Sequence, residues 1–339
     1  MKKFLFLGIA ATAMLASCTN DEVVEMNPQM AIGFESFVDK STRAADDILA
    51  SETFVFDVYG WRTKADVDEA IFANFANRGT ENDVTYNNKV CTYSPLQYWL
   101  PGYTYNFEAV YPLHATKGVT FAEAKSGGKI SFVSDSETDL LYAKASEYTA
   151  LKELTSISSQ PAAVNLTFDH MLSRVKFSFQ NIFPENSAAV ITVTNVQITN
   201  ANTEGEVTPA NSKIWTSNTP AVVTFASPNV TNMAGQAVEQ ETEHKYLIPA
   251  AVGTYKLTFT VTLTQGNVSD TFNHEVTLPT LTLEAGKSYD FYAALDATNV
   301  NPETQMFPIE FTANVTDWVE FTDGGEISPA ASTTGTSGN

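Results

Sequence analysis

The sequence predicts an all-β protein made of antiparallel β-sandwiches, and three observations support this prediction. Apolar and polar residues alternate with a period of two, most clearly between Thr254 and Thr264, where the polar face is mainly threonine. Turn-forming residues such as Gly266-Asn267 separate the alternating stretches. Helical spacing of apolar residues is rare. Many short strands joined by turns are typical of β-sandwich domains.

The individual elements follow from the same alternation. In chain order, the predicted strands are residues 53–59, 103–111, 175–179, 190–198, 222–225, 246–248, 254–264, 276–283, 289–292 and 307–315. Two stretches instead show helical spacing and are predicted to form short helices, residues 66–76 and 146–154.

The composition limits the number of domains and the classes of partner. A length of 339 residues suggests about two domains. Hydrophobic residues make up 43% and aromatic residues 12%, which suffices for sizeable cores. The 19 basic residues are outnumbered by 39 acidic ones, which gives a net charge of −20. General nucleic-acid binding is therefore excluded, because neutralising phosphates requires clustered Lys and Arg.

The N-terminus predicts export and a lipid anchor. Two lysines precede an apolar stretch, residues 4–16, which is shorter than the ~20 residues that a transmembrane helix needs. The stretch ends in Leu15-Ala16-Ser17-Cys18, which resembles a bacterial lipobox. Residues 1–17 are therefore the predicted signal peptide and Cys18 the predicted lipidation site, with an ordinary signal peptide and a chance cysteine as the alternative. Residues 19–22 are polar and acidic and resemble the acidic stretch that follows the lipid cysteine in surface-exported lipoproteins. This resemblance implies surface export, with a plain solvated tether as the alternative.

A search for catalytic and metal-binding motifs is negative. No zinc-protease, serine-hydrolase or phosphate-loop motif occurs, and the four histidines lie far apart in the sequence. Asp169 and His170 are adjacent, but adjacent strand residues point to opposite faces, so we expect a structural His170. Cys91 is expected to be a small buried apolar residue. We predict a non-enzymatic protein without cofactor or metal; a hydrolase with an unrecognised site is the alternative.

Several motifs occur in an order that resembles one protein family. The lipobox precedes a leader that contains Ile32-Gly33-Phe34 and ends in Ser41-Thr42-Arg43-Ala44. The later motifs are WLPG at residues 99–102, YNFEAVYP at 105–112, DLLYA at 139–143, LTFDHMLSRV at 166–175 and IEFTANVTDW at 309–318. In this order they resemble the fimbrillin family, whose members are subunits of Bacteroidales type V pili.

The resemblance implies a fold, a domain division and a role. It implies two tandem transthyretin-like antiparallel β-sandwich domains, which we assign to residues 44–162 and 163–325. Residues 18–43 would be a leader with a removable strand, and residues 326–339 a disordered tail. The implied role is a structural and adhesive pilus subunit, located at the exposed surface of the cell outer membrane and, after processing, in the fimbrium.

The resemblance also implies how such a subunit assembles. Ile32 and Phe34 alternate, and would fill an apolar groove of the precursor as a strand along a sheet edge. Cleavage between Arg43 and Ala44 would release the leader, and a strand of another subunit would replace it; the alternative is that Arg43 is an ordinary linker residue. Stalk pilins donate a C-terminal strand, and few apolar residues follow Trp318, so a tip or accessory position is expected.

The predicted partners follow from this role. They are other pilin subunits through β-strand addition, the outer membrane through the lipid anchor, and a host protein or glycan as an adhesion target. The alternative function is a non-polymerising surface lipoprotein that binds glycans on aromatic platforms built from the four tryptophans and thirteen tyrosines. In the pilus interpretation, these aromatic residues pack cores and sheets instead.

Overall fold

The computed structural model describes residues 31–37, 53–65, 67–72, 83–87, 90–113, 118–122, 127–149, 163–226, 232–234, 239–249 and 254–318. Within these ranges the chain forms twenty β-strands and no α-helix, with one 3₁₀ turn at Glu185–Ser187. The prediction of an all-β protein with antiparallel sheets is therefore confirmed. No segment of this described part is a helix long and apolar enough to cross a membrane.

The strands are numbered in chain order. The first ten are β1 (Phe34–Phe37), β2 (Thr53–Lys64), β3 (Val67–Phe72), β4 (Asp83–Asn87), β5 (Val90–Thr92), β6 (Thr104–Tyr111), β7 (Val119–Ala122), β8 (Lys129–Val133), β9 (Leu141–Thr149) and β10 (Val164–His170). The second ten are β11 (Ser173–Asn181), β12 (Ala189–Val207), β13 (Thr216–Thr224), β14 (Asn232–Met233), β15 (Glu239–Glu241), β16 (Lys245–Leu247), β17 (Lys256–Gln265), β18 (Val268–Thr277), β19 (Lys287–Leu295) and β20 (Phe311–Asp317).

These strands form three sheets. An eight-stranded sheet has the order β1-β10-β9-β6-β2-β4-β5, with β3 also paired to β2. A five-stranded sheet has the order β15-β11-β19-β20, with β16 also paired to β11. A seven-stranded sheet has the order β18-β17-β12-β8-β7, with β13 and β14 also paired to β12. The described pairs are antiparallel, apart from β1 with β10 and β11 with β19.

Strand β17 illustrates why the alternating sequence folds in this way. Leu257, Phe259 and Val261 point into a core and are almost fully buried. The threonines that alternate with apolar residues along β17 face outward, where β-branched polar side chains suit a solvated sheet surface. They form side-chain hydrogen bonds to β18, between Thr260 and Asn273 (2.9 Å), Thr262 and Thr271 (3.3 Å), and Thr264 and Ser269 (3.0 Å).

The buried apolar side chains form three clusters. The largest lies between the five-stranded and seven-stranded sheets and includes Phe177 of β11. The other two lie on opposite faces of the eight-stranded sheet. One face contributes Phe56 and Phe107, and the leader residues belong to this cluster. The opposite face contributes Tyr59, which packs against Phe121 of β7.

Strand β12 joins distant parts of the chain. It is 19 residues long, and its residues 189–198 pair with β17. Its residues 204–207 pair with residues 130–133 of β8. One sheet therefore contains strands from both sides of the predicted division at residues 162 and 163. The domain boundaries themselves stay predictions.

A buried carboxylate connects β6 to the segment before β8. Glu108 accepts a hydrogen bond from the Gly128 backbone N–H at 3.0 Å and another from the Tyr142 hydroxyl at 2.8 Å. Burial raises the pKa of Glu108 above its usual value, although both hydrogen bonds oppose that shift. The folded protein therefore holds the Glu108 proton more tightly than the unfolded chain does.

Both predicted helices are wrong where the structure describes them. Residues 67–72 form β3, which pairs with β2 in a tight hairpin: Lys64 lies opposite Val67, and Ala65 between them has a φ of 49°. Arg62 Nε donates to Glu69 Oε2 across the hairpin at 2.7 Å. Residues 146–149 are the end of β9. In both places, pairing with a neighbouring strand satisfies the backbone groups that a helix would satisfy internally.

Two of the predicted strands include several residues that belong to no strand in the structure. The strand predicted at residues 307–315 begins only at Phe311, and Phe307 is exposed. Of the strand predicted at residues 276–283, only residues 276 and 277 are strand, because β18 ends at Thr277. Leu278 and Leu283 are buried in the largest cluster without belonging to a strand. These positions are therefore apolar because they pack in the core, and not because they are part of a sheet.

Candidate functional site

The candidate functional site is the groove that holds the leader strand β1, here called the leader groove. On one side β1 runs parallel to β10, with Phe34 opposite Val164. On the other side, the Ile32 N–H donates to the Gln97 carbonyl at 2.8 Å, and Ala31 forms an isolated antiparallel bridge nearby. Strand β1 also contacts β5, at the far end of the sheet order. The leader therefore lies between β10 and the segment that follows β5.

The leader side chains fill apolar pockets in the groove. Ile32 is 1% exposed and Phe34 is 5% exposed. The Phe34 ring makes edge-to-face contacts with Tyr93 and Phe107, at centroid distances of 5.5 and 5.7 Å. Trp99 is buried in the same cluster. Burying two such side chains stabilises the docked leader by roughly 3–6 kcal/mol, before the cost of ordering its backbone.

Tyr93 holds the leader backbone from the opposite wall of the groove. Its hydroxyl donates to the Ile32 carbonyl at 2.6 Å and accepts from the Gln97 N–H at 3.3 Å. Burial raises the pKa of Tyr93 to about 12, so the hydroxyl keeps its proton at physiological pH. The sequence analysis did not single out Tyr93, and no local sequence signal marks it.

Position 33 imposes little restriction on the strand that occupies the groove. Gly33 is exposed, and its carbonyl accepts the Val164 N–H at 2.8 Å. A Cβ added at Gly33 would meet Ala163 Cβ at 3.5 Å, an ordinary van der Waals distance. The groove therefore buries two apolar side chains and has space for a side chain at the position between them.

The remaining predicted site residues lie elsewhere. Cys18, Arg43 and Ala44 lie outside the described residues, so lipidation and processing at these positions stay predictions. Cys91, expected to be a small buried residue, is half-buried and packs against the same apolar cluster as the leader.

His170 belongs to a buried cluster at the end of β20. Its Nδ1 lies 2.6 Å from Asp139 Oδ2, and both side chains are buried. The His170 ring stacks on Trp318 at 3.5 Å between centroids, and Tyr246 also stacks with Trp318 at 5.2 Å. Asp169 instead points to Lys213, at 3.2 Å. The cluster joins β10, β16 and Trp318, the last described residue. These contacts give His170 a structural role.

The structure gives the four tryptophans a packing role. All four tryptophans are buried, between 1% and 7% exposed. No tryptophan therefore offers the exposed face that a sugar-stacking platform needs. Among the described residues, no group of three or more His, Cys, Asp or Glu side chains could hold a metal ion.

The fold and the groove define a class of protein: an all-β chain in which an N-terminal strand completes a sheet formed by later residues. The sequence model of the fimbrillin-like family matches residues 42–318. The chain therefore belongs to the fimbrillin-like family, which confirms the resemblance seen in its motifs.

Several solved structures are similar to this chain. A candidate cell adhesion protein from Bacteroides uniformis ATCC 8492 is 15% identical, with a TM-score of 0.45, over 86% of this chain and 99% of that one. A candidate cell adhesion protein from Bacteroides ovatus ATCC 8483 is 13% identical, with a TM-score of 0.47, over 86% and 98%. The fimbrial anchor protein Mfa2 from Porphyromonas gingivalis is 10% identical, with a TM-score of 0.36, over 85% and 97%. No curated protein matches the chain.

Proposed function

We propose that this chain is a structural and adhesive subunit of a type V pilus, and that assembly exchanges its leader strand for a strand of another subunit. The position of the leader, paired with β10 and bonded to the segment that follows β5, carries the proposal, and membership of the fimbrillin-like family supports it. In this proposal Cys18 anchors the precursor in the outer membrane at the cell surface, and the processed chain enters the fimbrium. The chain has no enzymatic activity in this role.

Main-chain hydrogen bonds make the exchange possible. The leader is bonded on both sides, to Val164 and to Gln97, through backbone groups that any extended segment possesses. Removal of the leader would leave the edge of β10 and the Gln97 carbonyl without these hydrogen bonds, and would uncover the pockets of Ile32 and Phe34. An unpaired sheet edge beside apolar pockets binds an extended strand, and the pockets select its side chains.

The chain contains a segment with the spacing that the pockets require. Val319-Glu320-Phe321 repeats the apolar spacing of Ile32-Gly33-Phe34 and directly follows Trp318. Glu320 would take the exposed position of Gly33, where a side chain meets only ordinary contacts. We infer that this segment of one subunit can enter the leader groove of another. Beyond Val319 and Phe321 the only large apolar residue is Ile327, so a donated strand would be short, and we assign the subunit a tip or accessory position and not a stalk position.

Limited digestion of the full chain with trypsin tests processing and exchange. Cleavage after Arg43 should yield a chain that begins at Ala44 by N-terminal sequencing and forms oligomers in size-exclusion chromatography. Arg43→Ala should stay monomeric under the same digestion. A peptide of residues 30–37 should block oligomer formation, whereas the same peptide with serine in place of Ile32 and Phe34 should not. A trimmed chain that stays monomeric, keeps its melting temperature and binds no strand would refute the exchange.

A further inference from the structure

Strand β20 forms one edge of the five-stranded sheet. On one side it pairs with β19 in an unbroken antiparallel register over all seven of its residues, 311–317. Among the described residues, none pairs with its other side, and the side chains from Asn314 to Asp317 are exposed. The only charged residue of the strand is Asp317, at its end. This side of β20, here called the open edge, is therefore long and nearly uncharged.

Several other strands at sheet edges carry features that hinder pairing with a second chain. Strands β5, β7 and β15 are only three or four residues long. Strand β13 contains Pro220, and β18 contains Asp270 and Glu275 and lines the same cleft as residues 302–311. Short strands, prolines, charges and covering segments are the means by which sheets avoid edge-to-edge association. Residues 311–316 of β20 have no proline and no charge, so the open edge suits a partner strand.

One hydrogen bond shows which backbone groups point to the open edge. The Trp318 N–H donates to the Gly286 carbonyl at 2.9 Å, on the β19 side. Backbone groups point to alternate sides along a strand, so residues 312, 314 and 316 also direct theirs towards β19. Residues 311, 313, 315 and 317 therefore direct their N–H and C=O groups to the open edge. A second strand would find regularly spaced donors and acceptors there.

The sequence of β20 is complementary to itself across the open edge. When two copies are placed antiparallel with a two-fold axis at Asn314, Ala313 of each copy forms a hydrogen-bonded pair with Val315 of the other. Asn314 meets its own counterpart, so the two amides donate to each other, and Thr312 lies opposite Thr316. The carboxylates at the strand ends stay far apart. Val315, which is 46% exposed, becomes covered.

We propose that two copies of this chain associate through their open edges as a symmetric dimer, which joins the two five-stranded sheets into one. A two-fold contact uses the same surface on both copies, and β20 meets this condition. The contact is one pair of seven-residue strands, which belongs to the class of small and transient interfaces. The chain is thus monomeric in dilute solution and pairs where it is concentrated, as on a membrane that holds many copies. The leader groove contributes no residue to this contact, so the dimer does not depend on strand exchange.

Cysteine crosslinking of the unprocessed full chain tests the proposed register. Asn314→Cys places two thiols at the two-fold axis, where opposite Cα atoms of a non-hydrogen-bonded pair lie ~4.5 Å apart, within reach of a disulfide. Thr312→Cys is the matched control, because it lies on the same face of β20 but ~13 Å along the strand from its counterpart. Under mild oxidation at high protein concentration, Asn314→Cys should form a linked dimer about tenfold faster than Thr312→Cys. Cys18 and Cys91 are present in both variants and contribute equally.

Sedimentation equilibrium of the unprocessed chain, from dilute to near-millimolar concentration, measures the dimer itself. Asn314→Asp brings two carboxylates together at the axis and should weaken the dimer about fivefold at pH 7, and less at high salt. Asn273→Asp makes the same change on β18 and should dimerise as the wild type does. Val315→Pro removes an N–H that points to the open edge, so it should abolish the dimer and keep the melting temperature.

Three results would overturn the proposal. The first is a wild-type chain that stays monomeric over the whole concentration range, as it would if its own residues after Trp318 covered the open edge. The second is equal crosslinking of Asn314→Cys and Thr312→Cys. The third is a dimer of equal strength in wild type and Asn314→Asp. None of these measurements involves cleavage of the leader, so they leave the proposed strand exchange untouched.

Discussion

Replacement of Phe34 is the most direct perturbation of the leader groove. Phe34→Ala removes the ring that contacts Tyr93 and Phe107, and truncating a buried phenylalanine costs about 3–5 kcal/mol. Burial of Ile32 and Phe34 together stabilises the docked leader by roughly 3–6 kcal/mol. A loss of about 3 kcal/mol raises the population of detached leader on the order of 100-fold, because each 1.4 kcal/mol is a factor of ten. The leader should therefore detach while the sheets stay folded.

Hydrogen exchange measured by mass spectrometry provides the assay. In Phe34→Ala, residues 31–37 should exchange faster, and trypsin should cleave after Arg43 sooner. Phe183→Ala is the matched control, because Phe183 is also 5% exposed but belongs to the cluster between the five-stranded and seven-stranded sheets. It should lower the melting temperature without loosening the leader. Equal protection of the leader in Phe34→Ala and wild type, or equal loosening in both variants, would refute the reasoning.

Three further predictions concern single side chains. Tyr93→Phe removes the donor to the Ile32 carbonyl and should cost about 0.5–1.5 kcal/mol in urea unfolding, with faster exchange of the leader; unchanged values would contradict the role of this hydrogen bond. The raised pKa of Glu108 means that its stabilising contribution is complete below the unfolded value of about 4.5 and is lost as the pH rises through the folded pKa. In urea unfolding, Glu108→Gln should therefore gain stability relative to wild type as the pH rises above about 4.5, and a difference independent of pH would count against this. Trp318→Ala should lower stability by about 3–5 kcal/mol in urea unfolding and shift the His170 imidazole resonance; an unmoved resonance would exclude the stack in solution.

The strands could be predicted because their signal is local. Residues 254–264 alternate, and β17 covers Lys256–Gln265 with its apolar side chains buried. The helix predicted at residues 66–76 is wrong over residues 67–72. The helical spacing of its few apolar residues carries no information about the neighbouring strand β2, with which this segment pairs. The hairpin of β2 and β3 depends on contacts between segments, such as the ion pair of Arg62 with Glu69, which single-segment periodicity cannot reveal.

Of the leader groove, the sequence predicts the leader residues that fill it but not the residues of its walls. Alternation within the leader singled out Ile32 and Phe34, and both are buried in strand β1 or beside it. Tyr93 could not be found in this way, because it acts on a backbone carbonyl 61 positions earlier in the chain. The partner of His170 is likewise 31 positions away, so attention fell on the adjacent Asp169, which faces Lys213 instead.

The length of β12 has a mechanical consequence. An adhesive subunit carries tension between its attachment points, and a flexible connection would let its parts separate freely. Here residues 189–198 of β12 pair with β17 and residues 204–207 pair with β8, so a pull between these regions loads a row of backbone hydrogen bonds. Several of these bonds must break together before the regions part, and the rate of that event governs resistance to force. A force applied between β17 and β8 would therefore be carried by β12 and by the hydrogen bonds that pair it with these two strands.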